Sequence, residues 1–231
     1  VPNQTWSGGF AGVRGTFGVA SGKWYFEFQC GSGGGHQIGW VNSGFNMLGT
    51  ADVAITTAGT NGFGAVWDSR GYMYGWISGS GGSSLYPPGD DYVSYTNNDV
   101  IGCAIDMDNY KFYFSKNGTF INSQDPTDGT NAIIPTGSNN DGSGTYVAGD
   151  IMQPYFTGWT NGTGETNFGQ QPFQHTPPAG YKALCSANLP EPTIKDPAEY
   201  FKAKIYNGTG STQTITTGVD ADLVWVKRRD A

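Results

Sequence analysis

The amino-acid sequence predicts an all-β protein, built as a two-sheet antiparallel β-sandwich. Glycine fills 37 of the 231 positions and aromatic residues reach 14%, whereas leucine and glutamate, which favour helices, are scarce. Short runs rich in Thr, Val, Ile and Tyr alternate apolar with polar residues, as half-buried strands do. Clusters of turn residues separate these runs. This composition argues against a helical bundle, a coiled coil and a doubly wound α/β enzyme.

The first predicted domain, residues 1–175, contains the strands of one sandwich. Large aromatic residues occupy every second position at Trp24, Phe26 and Phe28, which predicts a strand with one face in a core. The residues between them then share the opposite face. Further strands of this sandwich are predicted at residues 37–41, on both sides of a turn at 68–71, and at residues 153–159 and 165–169.

Residues 99–118 predict a β-hairpin within the same domain. Apolar residues alternate through 101–107 and again through 112–114, and the Asp108-Asn109 pair reverses the chain between the two runs. Long polar loops join the predicted strands, and a rigid core with long loops is typical of a recognition module. These loops comprise residues 57–62, 78–91 and 123–150.

Beyond residue 175 the composition changes. Residues 176–195 are rich in proline, which restricts the backbone and predicts an extended linker. Residues 196–231 predict the start of a second β module, incomplete within this chain, whose first residue Asp196 caps a short helix over residues 196–204. Its few apolar residues cannot close a core, so we expect this tail to need the rest of its module or another chain. The strands of that module are predicted at residues 203–218 and 222–229.

Charge and cysteine content restrict the class of function. The chain carries 12 Lys and Arg against 19 Asp and Glu, a net charge of −7, which is the wrong sign for a nucleic-acid-binding surface. No apolar run reaches the roughly 20 residues that a membrane-spanning helix needs. Cys30, Cys103 and Cys185 lack the spacing of metal ligands. Cys30 and Cys103 lie in apolar, strand-like runs, where thiols are predicted to be buried and unpaired.

Catalytic groups are sparse. His36 and His175 belong to no nucleophile motif and are expected to be exposed loop residues. Glu27 and Glu165 could meet across a groove, as the two carboxylates of a glycoside hydrolase must. Surface positions explain both glutamates more simply, so no catalytic residue is predicted.

Asp106, Asp108 and Asn109 could together bind calcium, because calcium takes several oxygen ligands from carboxylate and amide groups. Their spacing is not that of an EF-hand. Asp and Asn side chains also bond to nearby backbone amides in turns, and this structural role is favoured here. Neither a metal nor a cofactor is therefore predicted.

Aromatic residues gather around the 68–71 turn and one later loop. Exposed aromatic rings stack on sugars or anchor protein contacts, and neighbouring Asp, Asn and Arg add directional hydrogen bonds. Because side chains alternate along a strand, about half of these aromatic residues should pack in the core. The candidate ligand-binding residues are Trp67, Asp68, Arg70, Tyr72, Tyr74, Trp76, Tyr86, Trp159 and Asn161.

Five segments in order resemble the SPRY domain, a member of the concanavalin A-like group of β-sandwiches. They are GKWYFEF, QIGWV, AVWDSRGYMY, DVIGCAIDMDNYKFYFSKNG and NFGQQPF, and they span about residues 5–175. Tyr110 departs from the pattern, because related sequences often have glycine at this position of the turn. The resemblance implies a two-sheet sandwich that recognises other molecules without enzymatic activity.

The tail resembles sequences that follow SPRY-like domains in phage tail-fibre and other virion proteins. The matching pieces are TPPAGYKALCSANLPEPTI, the YNGTG stretch and DLVWVKRR. This resemblance implies a module on the particle surface that binds a host surface glycan or protein through its sandwich loops, beside other virion proteins. It also implies a homo-oligomer, which would be a trimer in a fibre. Two alternatives stay open: a purely structural virion decoration or spacer and, less favoured, a glycan hydrolase.

Overall fold

The computed structural model describes residues 11–45, 64–76, 83–84, 93–134, 150–159, 162–189 and 194–228. They fall into two compact units, Val1–Asn188 and Leu189–Ala231. No helix among these residues has the length and apolar character needed to cross a membrane. The strands are β1 (Ala11–Arg14), β2 (Lys23–Cys30), β3 (Gly34–Asn42), β4 (Gly64–Asp68), β5 (Met73–Trp76), β6 (Ser83–Ser84), β7 (Val100–Asp106), β8 (Lys111–Lys116), β9 (Thr119–Phe120), β10 (Met152–Trp159), β11 (Gly164–Asn167) and β12 (Lys182–Ala183). Single turns of 3-10 helix cover Ile121–Ser123, Ser186–Asn188 and Pro197–Glu199.

Two antiparallel sheets form the first unit. The first sheet has the strand order β1-β10-β3-β4-β5-β6, and the second has the order β11-β2-β7-β8-β9. β12 adds a short parallel pair to β2. The predicted fold class, an all-β two-sheet sandwich, is therefore confirmed.

The core lies between the sheets and follows the predicted alternation. Trp24, Phe26 and Phe28 of β2 are buried in it, and the Phe26 ring meets Trp40 of β3 edge-on with 5.0 Å between ring centroids. Tyr25 belongs to a separate cluster on the other face of β2. Large aromatic side chains thus supply much of the buried apolar surface that stabilises the sandwich.

The described cysteines are free thiols, as predicted. Cys30 and Cys103 are buried in the core, and burial raises the pKa of both thiols above the ordinary value. Cys185 is only half-buried, and its sulfur accepts a hydrogen bond from the Asn188 side chain. The two core thiols are therefore unreactive, whereas the third stays partly accessible.

The turn between β7 and β8 is built by side-chain to backbone hydrogen bonds, as predicted. The Oδ1 atom of Asp106 accepts hydrogen bonds from the backbone N–H groups of Asp108 and Asn109, each at 3.1 Å. Its Oδ2 atom lies 3.3 Å from the Lys23 ammonium. Tyr110 has a positive φ of 53°, a conformation that glycine adopts more readily. The turn keeps its hydrogen bonds despite the missing glycine, at a local conformational cost.

The first unit continues past the predicted boundary at residue 175. β12 pairs with Trp24 and Tyr25 of β2, and Leu184 is buried in the main core. Much of the segment predicted as a proline-rich linker therefore belongs to the sandwich.

The second unit contains no strand within residues 194–228, so the strands predicted there are not observed. The predicted helix is one 3-10 turn, Pro197–Glu199, and the Asp196 side chain caps it by accepting a hydrogen bond from the Ala198 N–H at 2.9 Å. Leu223 and Trp225 are 86% and 88% exposed. A strand is stable only with a neighbouring strand and a buried face, and the described residues of this unit provide neither.

Candidate functional site

The turn between β4 and β5, residues 68–72, brings polar members of the predicted site together. Two backbone hydrogen bonds close it, from the Asp68 N–H to the Tyr72 carbonyl and from the Gly71 N–H to the Asp68 carbonyl, both at 2.8 Å. Gly71 has a φ of 103°, which a residue with a side chain rarely adopts. This tight reversal fixes the points from which Arg70 and Tyr72 project.

The Asp68 carboxylate anchors the turn from its buried side. Asp68 is 1% exposed, and its Oδ1 atom accepts hydrogen bonds from the backbone N–H and the Nε atom of Arg70, both at 2.8 Å. Its Oδ2 atom accepts from Arg70 Nη2 at 3.0 Å and from the Gln37 amide at 3.1 Å. Four donors thus satisfy a carboxylate that burial alone would destabilise.

Arg70 and Tyr72 are the solvent-facing residues of the turn. The Arg70 side chain is 61% exposed and Tyr72 is 38% exposed. The guanidinium carbon lies 5.3 Å from the centre of the Tyr72 ring, a cation–π arrangement. The forked pair with Asp68 holds the guanidinium in one orientation, so the turn presents a preformed Arg–Tyr surface.

Tyr95, which the sequence did not single out, supports the turn from the core. Its hydroxyl lies 2.9 Å from the His36 carbonyl and 2.8 Å from the Trp67 carbonyl, either of which can accept its hydrogen bond. Its backbone N–H donates to the Ser69 carbonyl at 3.0 Å. Burial raises the pKa of Tyr95, so the hydroxyl keeps its proton at neutral pH. No local pattern distinguishes this tyrosine, because its role depends on contacts between distant segments.

Comparison with known families covers both units. Residues 23–127 match the SPRY domain family, and this range includes the described strands β2 to β9 and the 68–72 turn. Within this range the chain is similar to SPRY domains. Residues 196–231 match a domain of unknown function, DUF7483. SPRY domains are generally non-catalytic and often act as protein-interaction modules.

Two curated relatives share a region with this chain. The ATP-dependent RNA helicase DDX1 of Xenopus laevis is 30% identical over 180 residues, which cover 76% of this chain and 19% of the helicase. The ATP-dependent RNA helicase Ddx1 of Drosophila melanogaster is 28% identical over 189 residues, which cover 80% and 21%. The chain therefore spans about a fifth of the length of these relatives.

A solved structure, the SPRY domain of human HERC1, is also similar. It is 16% identical to this chain, has a TM-score of 0.46, and is matched over 74% of this chain and 90% of its own length.

The sandwich places Trp67 in the core, which corrects its prediction as a ligand-binding residue. Trp67 is fully buried, and its ring meets Tyr95 edge-on with 4.8 Å between centroids. It lies opposite Ile38 in the strand register, and both side chains belong to the core between the sheets. Two other candidates, Tyr74 and Trp76, lie on β5, and Trp159 lies on β10; the side chains of these three are outside the described part of the structure. Tyr86 and Asn161 lie outside the described residues.

His36 is buried rather than exposed in a loop. It lies on β3, is 3% exposed, and its Nε2 atom is 2.8 Å from the Thr163 carbonyl. Burial lowers the pKa of His36, and the hydrogen bond to Thr163 opposes this change, so the ring is neutral at pH 7. The expectation failed because the glycine run before His36 continues into a strand.

Glu27 is also buried, which corrects its prediction as a surface carboxylate. It is 2% exposed and accepts hydrogen bonds from the backbone N–H groups of Gln174 and His175. Glu165, by contrast, is exposed on β11. A carboxylate shielded in this way cannot serve as the second catalytic group of a glycoside hydrolase. Nor do three His, Cys, Asp or Glu side chains gather into a metal site in the described part of the chain.

Proposed function

We propose that the sandwich is a non-enzymatic recognition module that binds a protein through the 68–72 turn. One observation carries the proposal: the exposed side chains of Arg70 and Tyr72 lie against each other, and the buried Asp68 carboxylate holds the Arg70 guanidinium. Arginine and tyrosine are among the residues that most often dominate protein–protein binding energy.

The rigidity of the turn supports this role. A long, mobile arginine loses conformational entropy when a partner immobilises it, at a cost of about 0.5–1.5 kcal/mol per side chain. Arg70 is already held by Asp68 through two parallel hydrogen bonds of 2.8 and 3.0 Å. Much of this cost is therefore met before any partner arrives.

The chemistry of the turn favours a protein over nucleic acid or glycan. The positive charge of Arg70 is neutralised by Asp68, and the whole chain has a net charge of −7, so a phosphate backbone would meet little attraction. A sugar ring would need a free face of Tyr72, and the guanidinium of Arg70 already occupies one face. A peptide can instead contact the exposed part of the Arg70 side chain and the edge of the Tyr72 ring.

The resemblance of the tail to virion proteins leads to further predictions: that the chain lies on the surface of a virion, binds a host surface glycan or protein and forms a homo-oligomer. The alternative that it is a purely structural virion protein also remains a prediction. The curated relatives give no support for the virion location. Electron microscopy of particles labelled with an antibody to this chain would test it, and an absence of label from intact particles would contradict it.

Selection from a displayed library of random peptides tests the proposed site. Peptides enriched on the full chain should bind Arg70→Ala and Tyr72→Ala about 10- to 100-fold more weakly, as interface hot spots do. Lys182→Ala, at an exposed cation on β12 of the second sheet, is the matched control and should bind as the unmodified chain does. Selected peptides that bind all three variants equally well would overturn the proposed site. Glycan-array ligands lost in Arg70→Ala, with no selected peptide affected, would overturn the proposed class of partner.

A further inference from the structure

The second sheet has a covered outer face. Tyr25 of β2, Ala104 of β7 and Tyr113 of β8 point away from the main core, yet each is 1% exposed or less. Together with Tyr181 they form a second buried cluster. Residues 170–183, here called the strap, supply that tyrosine and run from the end of β11 to β12.

Glu27 holds the strap to this face. Its Oε2 atom accepts a hydrogen bond from the Gln174 N–H at 2.8 Å, and its Oε1 atom accepts from the His175 N–H at 2.9 Å and from the Tyr25 hydroxyl at 3.2 Å. The Gln174 side chain adds a hydrogen bond to Gln29 at 3.0 Å. A buried carboxylate depends strongly on such donors, and hydrogen bonds to a charged group are stronger than neutral ones.

Phe173 and Tyr181 supply further contacts of the strap. The Tyr181 hydroxyl donates a hydrogen bond to the Pro126 carbonyl at 3.4 Å, and the Lys23 ammonium lies 5.6 Å from the centre of the Tyr181 ring. Phe173 meets Tyr25 edge-on at 5.1 Å, and Tyr181 meets Tyr113 edge-on at 6.4 Å. Only the two residues of β12 pair with β2. About half of the strap residues are exposed, whereas the strands beneath them are buried and fully paired within the sheet.

We propose that the strap is a separate opening unit, with Glu27 as its latch. Segments with few buried contacts open without global unfolding, and the contacts between the two sheets do not depend on the strap. Opening exposes Tyr25, Tyr113 and Glu27 on the outer face of the second sheet while the 68–72 turn on the first sheet keeps its structure.

Hydrogen–deuterium exchange of the full chain tests this proposal. Amides of the strap should exchange at least about ten-fold faster than those of β7 and β8, since opening of the strap leaves the sheets intact. In Glu27→Gln, which keeps the shape but loses the charge, exchange at Gln174 and His175 should rise about ten-fold further. Exchange in β7 and β8 should stay unchanged in that variant.

Glu165→Gln is the matched control, because Glu165 is an exposed glutamate on β11 of the same sheet. It should leave exchange in the strap unchanged. Equal exchange of the strap with β7 and β8 in the unmodified chain would overturn the proposal. The proposal would also be overturned if Glu27→Gln and Glu165→Gln changed exchange in the strap equally. The same holds if Glu27→Gln raised exchange in β7 and β8 as much as in the strap. Gln174→Ala, which removes only the bond to Gln29, should raise strap exchange by less than Glu27→Gln does.

Discussion

The β4–β5 turn and the β7–β8 turn both begin at an aspartate whose side chain is almost fully buried. Each aspartate accepts hydrogen bonds from backbone N–H groups two or three residues later in the chain: Asp68 from Arg70, and Asp106 from Asp108 and Asn109. Each also pairs with a cation. The cation of Asp68 is Arg70, which belongs to the turn itself and is 61% exposed. The cation of Asp106 is Lys23, which comes from the neighbouring strand β2 and is 33% exposed.

The origin of the cation distinguishes the two turns: the β4–β5 turn displays an exposed side chain, whereas the β7–β8 turn is bound to the neighbouring strand. When the turn supplies its own cation, the buried carboxylate fixes a side chain that points at solvent. When the cation comes from a neighbouring strand, the same carboxylate ties the turn to the sheet. The same residue type at a strand end therefore orients an exposed side chain of the proposed site in one case and joins the turn to the sheet in the other.

Among the changes that test this comparison, Asp68→Ala is expected to lower the free energy of unfolding most. The change removes four hydrogen bonds and leaves the buried Gln37 amide without its acceptor, so we expect a loss of about 3 kcal/mol in the free energy of unfolding. Asp106→Ala should cost less, because Lys23 and the turn amides can reach water. Urea unfolding followed by tryptophan fluorescence measures both. Equal losses in the two variants would mean that the two carboxylates carry equal stability.

A smaller effect is expected at the positive φ angles of the two turns. Tyr110→Gly should destabilise the protein by about 1 kcal/mol, because loss of the ring that packs against the main core outweighs relief of the φ of 53°, which is worth about 0.5–1 kcal/mol. Gly71→Ala, the reverse change in the other turn at a φ of 103°, should destabilise it. Thermal unfolding of both variants checks the signs. A Tyr110→Gly protein that melts higher would show that the backbone cost outweighs the contacts of the tyrosine ring.

The smallest effect is a pH dependence that belongs to the β7–β8 turn. Burial raises the pKa of Asp106, but hydrogen bonds from Asn109 and Lys23 outweigh burial and hold this pKa below its ordinary value. The ionised form is therefore favoured on folding, and its stabilising contribution is present above the unfolded-state pKa of about 3.9. It is lost as the pH falls through the folded-state pKa. In Asp106→Asn, the free energy of unfolding should therefore fall less steeply between pH 6 and pH 2 than in the unmodified chain, as measured by urea unfolding. An equally steep fall in both proteins would show that Asp106 does not cause this pH dependence.

Sequence patterns predicted the sandwich well because strand alternation is a local signal. The aromatic residues of β2 and the hairpin of β7 and β8 needed only a period of two and a turn pair to be recognised. Asp106 was also correctly assigned to its turn, since the backbone amides that it accepts from lie within three residues, although its ion pair with Lys23 is distant in sequence.

The site was predicted only in part because its supports are distant in sequence. Arg70 and Tyr72 are exposed, and their role in binding stays a prediction, whereas Trp67 packs in the core. No local pattern indicates the hydrogen bonds of Tyr95 to the segments of His36 and Trp67. Glu27 was misjudged for the same reason: its partners, Gln174 and His175, follow it by about 150 residues in the chain.

The uneven accessibility of the three thiols makes the protein convenient for spectroscopy. Cys30 and Cys103 are shielded, whereas the half-buried Cys185 follows directly on β12 and Leu184. A maleimide dye added to the native chain should therefore attach at one position, without any engineered cysteine or removal of natural ones. Such a dye would sit just past the strap and report its movement through changes in emission.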